Sequence, residues 1–295
     1  NPPYGKVTLD TGLRDKYARS LFGHANLYGL FTDLALRTAK EDGVIAYLTP
    51  TSFLGGQYFK ALRELLLTEA APRAFDFISN REGVFDDVLQ ETLLTTFKKG
   101  ARRGPSKVSL LVPQGLNEAK VEHIGKVGIV KGDGPWLIPR VSKDAALLNR
   151  IKKMQTRLPD LGYVVSTGKL VWNRHKTQLK SEKTKNSLPL IWAESVTAQG
   201  FKFSAVKRNH VPYIEVKNNQ QHLITRESCV LVQRTTSKEQ SRRILGAVIP
   251  QDFIDRNNGV VVENHLNIVY SDGLIREVTV ETINALLNSE VFDRI

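Results

Sequence analysis

Leu27, Phe31, Leu34, Ala35 and Ala39 recur at helical spacing, and the pattern stops at Gly43. The run Val44-Ile45-Ala46-Tyr47-Leu48 that follows predicts a buried strand. Thr51 and Ser52 can cap a second helix, carried by Phe59, Leu62, Leu65 and Leu66 and ended near Pro72, with a short strand over 74–78 behind it. Helices alternating with apolar strands predict an α/β sheet. Residues 89–97, rich in Thr and Leu, follow the 84–88 turn with no room for a crossover helix, so they should pair antiparallel with their predecessor. Beyond residue 107 the texture changes to short β-like runs at 108–112, 127–130, 230–232 and 259–262, broken by polar turns. Helical pattern returns only near 143–154 and at the end, where Thr279 precedes Ile283, Leu286, Leu287 and Val291.

Residues 98–107, with five basic residues, two Gly and a Pro, have the composition of an exposed connector, and the predicted boundary falls there, between 1–100 and 101–295. Charge follows the same division. Residues 1–97 hold 10 Lys+Arg against 12 Asp+Glu, whereas 98–295 hold 32 against 18. A basic excess confined to one half predicts a folded polyanion-binding domain, and nucleic acid is the commonest polyanion. The ordinary composition, 41% hydrophobic and 24% charged, excludes disorder and a disulfide scaffold. The longest uncharged stretch, 43–59, falls short of the roughly 20 apolar residues of a spanning helix, so a soluble protein without membrane contact is expected. The one cysteine, Cys229, lies in an apolar run that predicts a buried structural thiol and a reducing, cytoplasmic compartment. Because residue 1 is Asn with no leader before it, and the last helix pattern stops at Ile295 without a cap, a fragment is expected.

Asn1-Pro2-Pro3-Tyr4 is the most specific feature. An exocyclic amine is a poor nucleophile because its lone pair is delocalised into the ring. Two acceptors, the Asn1 side-chain carbonyl and the Pro2 main-chain carbonyl, can hold both amino protons and push the nitrogen toward a tetrahedral geometry. Paired prolines fix the loop and remove competing donors. Tyr4 offers a face for a base drawn out of the duplex. The motif therefore makes Asn1, Pro2, Pro3 and Tyr4 the candidate catalytic residues.

On these residues the chain resembles the adenine-specific DNA amino-methyltransferases of the gamma class, of bacterial restriction-modification type. Further blocks agree in order: Asn26-Leu27-Tyr28-Gly29-Leu30-Phe31, then 42–50, then Gly83-Val84-Phe85 with 92–97. The resemblance implies the C-terminal part of a doubly wound methyltransferase sheet followed by a mixed α+β target-recognition domain. It implies S-adenosylmethionine as cofactor, double-stranded DNA as partner and a cognate restriction nuclease as a second one. Tyr4 and Phe85 would stack on the two faces of the flipped adenine. The glycine-rich turn and acidic residue that hold the cofactor in that family lie upstream of the motif; Gly55-Gly56, Gly132-Asp133-Gly134 and Thr167-Gly168-Lys169 match neither and predict turns. The fragment alone is thus expected to be inactive, and a truncated sheet edge would favour self-association.

In the basic half, Trp172, Asn173, Arg174 and Lys176 combine stacking, base-reading and phosphate-holding groups, as do Arg234, Thr235, Thr236, Lys238, Arg242 and Arg243. Asn264-His265-Leu266-Asn267 is a third stretch. Six scattered His form no metal cluster, and Pro159-Asp160 with Glu215-Val216-Lys217 only loosely fits a metal-dependent nuclease pattern. Two alternatives stay open: a non-catalytic DNA-specificity module, and a protein-glutamine methyltransferase, whose side-chain amide poses the same amino-nitrogen problem.

Overall fold

The computed structural model describes residues 1–79, 91–115, 118–132, 134–235, 242–271, 273 and 278–294. They form two compact units, 1–153 and 154–294. The division does not fall at the basic connector. Residues 100–105 there turn the chain from one strand to another within one sheet.

In the first unit the strands are β1 (Lys6–Val7), β2 (Ala25–Asn26), β3 (Val44–Pro50), β4 (Ala70–Ile78), β5 (Thr92–Lys99), β6 (Ser106–Pro113) and β7 (Ala119–Val127). The helices are α1 (Thr11–Lys16), α2 (Leu27–Thr38), α3 (Ser52–Gly55), α4 (Lys60–Glu69) and α5 (Ser142–Ile151). β1 and β2 pair by themselves, and the large sheet has the order β3-β5-β4-β6-β7. β5 is antiparallel to both β3 and β4, and its pairing with β4 is the one the sequence predicts. β3 and β4 consequently run the same way, joined by α3 and α4 as a crossover. β4 pairs parallel with β6, which binds the residues beyond the connector into the first core. Phe75, Phe77, Leu93, Phe97 and Val108 face Leu62 and Leu66 of α4 in that core.

Two expectations need correction. β3 is an edge strand rather than a buried one, with Val44 exposed, because it pairs only with β5 among the described strands. The second helix is broken, α3 ending at Gly55 and α4 beginning at Lys60, and Pro72 sits inside β4 instead of ending the helix. Without an N–H it leaves the ladder irregular, and the register shifts between Pro72 and Ala74.

The second unit contains β8 (Tyr163–Thr167), β9 (Leu179–Lys180), β10 (Ser187–Ile191), β11 (Val196–Thr197), β12 (Gly200–Phe201), β13 (Tyr213–Glu215), β14 (Ile224–Thr225), β15 (Cys229–Gln233), β16 (Gly246–Ile249), β17 (Val260–Val262) and β18 (Leu266–Ser271), with α6 (Gln251–Arg256), α7 (Val280–Leu287) and α8 (Glu290–Asp293). One sheet runs β16-β15-β18-β8 and another β14-β17-β10-β13-β9, with β11 and β12 as a separate hairpin. Alternation decides the packing of the four-stranded sheet. Leu231 and Ile268 join Ile191 and Val262 of the other sheet, while Val230 and Val269 on the opposite face meet Ile283 of α7. Cys229 is fully buried, and burial pushes its thiol up to about 12, so it packs as an apolar residue.

Candidate functional site

The first candidate site gathers at the C-terminal end of β3. Pro2 is buried, Asn1 and Pro3 are exposed, and Tyr4 is half-buried. The Tyr4 hydroxyl donates to the Leu48 carbonyl at 2.8 Å and lies 3.0 Å from Asn1 Oδ1, so its single proton serves one of them at a time. The Leu27 N–H donates to the Gly5 carbonyl at 2.9 Å, and Lys6 pairs with Asn26, which places the start of α2 beside the motif. Asn26 caps that helix by accepting from the Tyr28 N–H.

Tyr28 is the residue that the sequence underplays. It is buried, its ring stacks on Phe59 at 4.9 Å and meets the Tyr4 ring edge-on at 6.1 Å, and its hydroxyl reaches Ser52 Oγ at 2.9 Å. Burial raises both phenols, so each is a neutral hydrogen-bonding group at neutral pH. The Thr51 N–H donates to the Glu91 carbonyl at 3.0 Å, tying the end of β3 to the start of β5. Segments 1–4, 26–28 and 48–52 are thereby one bonded assembly, although up to 44 residues separate its bonded partners. Phe85 lies outside the described residues, as does the rest of 80–90.

The second candidate site forms at one end of the four-stranded sheet. Thr167 at the end of β8 pairs with Asn267 at the start of β18, and Leu266 pairs with Gln233 at the end of β15. Three stretches, distant in sequence, leave or enter the sheet at this end. The Arg234 N–H donates to His265 O at 3.0 Å and its guanidinium to Asn264 O at 2.9 Å, while the Asn264 N–H donates to Leu170 O at 2.9 Å. Gly168 permits the crossing, since a Cβ there would lie 2.2 Å from the Glu263 carbonyl oxygen. Two residues beyond Leu170 the chain enters a short turn, in which Asn173, Arg174 and Lys176 are exposed and Trp172 is half-buried, its ring 5.8 Å from Lys176 Nζ and edge-on to Trp192 at 6.0 Å. Arg234, Thr235 and Arg243 are exposed. Arg242 differs: its guanidinium donates to Asn288 O, and to Ser289 O at 3.2 Å, just beyond the end of α7. Thr236 and Lys238 lie outside the described residues.

Asp160 and Glu215 each have other partners. Asp160 accepts from the Arg157 N–H at 2.6 Å, and Glu215 engages Thr184 Oγ1 at 2.9 Å and Lys180 at 3.4 Å. Among the described residues no group of three or more His, Cys, Asp or Glu could hold a metal ion, and no helix is long and apolar enough to cross a membrane.

The glycines do not build a cradle for S-adenosylmethionine. Gly56 closes a turn in which a Cβ would lie 2.7 Å from Ser52 O, Gly168 serves the strand crossing, and Gly134 leads into the chain held by the buried Arg63, whose Nε donates to its carbonyl at 3.0 Å. These glycines among the described residues therefore do not fit a donor site.

Residues 1–85 match the model of the Eco57I restriction-modification methylase. Over its whole length the chain is 28% identical to the type II methyltransferase M.PstI of Providencia stuartii, covering 59% of that protein. It is 25% identical to the type II methyltransferase M.BsuBI of Bacillus subtilis, again along all of the chain and 60% of the relative. The chain thus spans about three fifths of the length of these relatives. Among solved structures, the cryoEM structure of a DrdV–DNA complex aligns with 100% of the chain and 38% of its own, at 10% identity and a TM-score of 0.48.

Proposed function

We propose, on the premise that this chain is a homologue of restriction-modification DNA methyltransferases, that it supplies the acceptor side of the catalytic centre and the DNA-recognition unit of an adenine-specific enzyme. The observation that carries this reading is the bonded assembly of Asn1–Tyr4 with Asn26–Tyr28 and Leu48–Ser52, in the segment that matches the methylase model. Asn1 Oδ1 and the Pro2 carbonyl accept the two amino protons of a flipped adenine, which frees the nitrogen lone pair. The Tyr4 ring stacks against the base, with Phe85 as the stacking residue on the other face, and the bond to Leu48 O keeps the phenol from rotating away. The amino proton then leaves to solvent. S-adenosylmethionine is the methyl donor of the whole enzyme, and because the glycine turns among the described residues do not cradle it, the isolated chain is expected to be inactive.

The second unit reads the site through Trp172, Asn173, Arg174, Lys176, Arg234, Thr235 and Arg243, from segments that run from the sheet end, with Thr236 and Lys238 as further contact residues. A cognate nuclease is a further partner, and the edge of β3 that no described strand covers makes self-association of the isolated chain an expected property. Asn1→Ala in the full-length protein is expected to lower methyl transfer by about 100-fold or more while DNA binding is retained. Methyl incorporation into DNA, with mass analysis of the digested nucleosides, tests both parts. Near-normal turnover of the variant would remove Asn1 from the site, and a product other than methylated adenine would reassign the substrate. A protein that binds DNA and never methylates it, even when full-length, would instead be a specificity module.

A further inference from the structure

We propose that residues 205–209 form a further DNA-contacting element, in which Val206 is an apolar tip pressed against the bases and Lys207 and Arg208 hold the flanking phosphates. This rests on the reading of the second unit as a duplex-binding surface. Val206 is 84% exposed, more than any other large apolar residue described. A lone exposed valine on a loose loop would need no explanation. This one is held in place. Glu194, whose side chain is only 9% exposed, accepts the backbone N–H groups of Val206 at 2.9 Å and Lys207 at 3.2 Å through one oxygen, and its other oxygen lies 2.8 Å from His210 Nδ1. The far side of the loop is fixed by a turn in which the His210 N–H donates to Lys207 O at 3.0 Å and Asn209 takes a left-handed φ of 69°. His210 stacks on the buried Trp192 at 3.8 Å, and the Trp192 indole donates to Val211 O at 2.7 Å.

The same short segment anchors two of the stretches that the sequence singles out. Trp192 meets Trp172 edge-on, and the Gln233 amide donates to Ala193 O at 3.1 Å and Val196 O at 3.0 Å. The loop is therefore mechanically continuous with the proposed recognition surface. Lys207 and Arg208 are exposed, and no ion pair joins either to a carboxylate among the described residues. An apolar tip followed by two exposed cations with no carboxylate partner among the described residues, on a braced backbone, suits a duplex, where phosphates border a groove floor of apolar base edges and stacked steps.

The full-length protein and two variants, Val206→Ser and Lys207→Ala combined with Arg208→Ala, can be titrated with a random-sequence duplex pool between about 50 and 200 mM salt, and the bound pool sequenced. All three positions are exposed, so unchanged melting temperatures are expected for both variants. Removing the two cations is expected to lower the slope of log affinity against log salt by about 1.8. Val206→Ser is expected to leave that slope unchanged and to relax base preference at one or two positions of the enriched sequences. Wild-type slope and wild-type preferences in both variants would overturn the proposal and leave the recognition reading standing. Failure of the wild-type protein itself to bind DNA would overturn that reading, and the proposal with it.

Discussion

Asp33 shows how a single carboxylate ties the first unit together. Its side chain is fully buried, and burial alone would push its pKa up. Bonds from Arg19 at 2.8 and 2.5 Å, Arg37 at 3.0 Å and Ser20 at 2.9 Å more than offset this and hold it below its ordinary value of 3.8. A folded-state pKa below the unfolded one means stability present above that ordinary value and lost as pH falls through the folded one. Asp33→Asn is expected to cost about 3 kcal/mol at neutral pH, because it leaves two arginines facing a neutral amide. The deficit should begin to shrink below about pH 4, where the carboxyl of the unfolded chain takes up a proton, and should vanish only once pH has fallen through the depressed folded value. Melting curves of both proteins at the two pH values check the sign; a gap that widened in acid would refute the assignment.

At the scale of elements, two neighbouring arginines part company. Arg242 donates to the carbonyls of Asn288 and Ser289, in the link between α7 and α8, so its role is to hold those helices. Arg242→Ala is expected to lower stability by about 1–3 kcal/mol with the salt slope of DNA binding unchanged. Arg243→Glu should do the reverse, weakening DNA binding and flattening its salt dependence at a constant melting temperature, and Arg234→Glu should do the same with an added loss of about 1 kcal/mol from the bond to Asn264 O. The sequence shows one basic run and no means of separating these roles. What is legible in it is local: the period of α2, the antiparallel β5, the Thr279 cap of α7 and the motif Asn1–Tyr4 all depend on near neighbours. What is not legible depends on pairing across the chain. The bond between Tyr28 and Ser52 spans 24 residues, and the meeting of Thr167, Gln233 and Leu266 is set by strand registers that no periodicity encodes.

For the molecule as a whole, the structure redistributes the charge. Residues 98–153 carry 13 Lys+Arg against 4 Asp+Glu, and they belong to the first unit through the pairing of β6 with β4. The first unit therefore holds 23 against 16, and the remainder of the chain 19 against 14, so both are basic. Cutting the exposed stretch Met154–Arg157 is expected to leave two folded pieces, since each unit encloses its own apolar clusters. The piece from 158 onward should bind DNA with a shallower salt slope than the intact chain, and limited proteolysis followed by titration measures both effects. An unchanged slope would confine the electrostatic contacts to the second unit.

The end of the four-stranded sheet has a consequence for how such a protein can change over generations. Its strands are locked in register by Leu231, Ile268 and their fully or nearly buried neighbours, while Asn173, Arg174, Lys176, Arg234, Thr235 and Arg243 project beyond them into solvent. Substitution at these outer positions leaves both apolar faces untouched, so the surface can drift through many sequences on an unaltered frame. On the proposed reading of this surface, a lineage could thus acquire a new DNA preference in single steps, each borne by a protein that still folds.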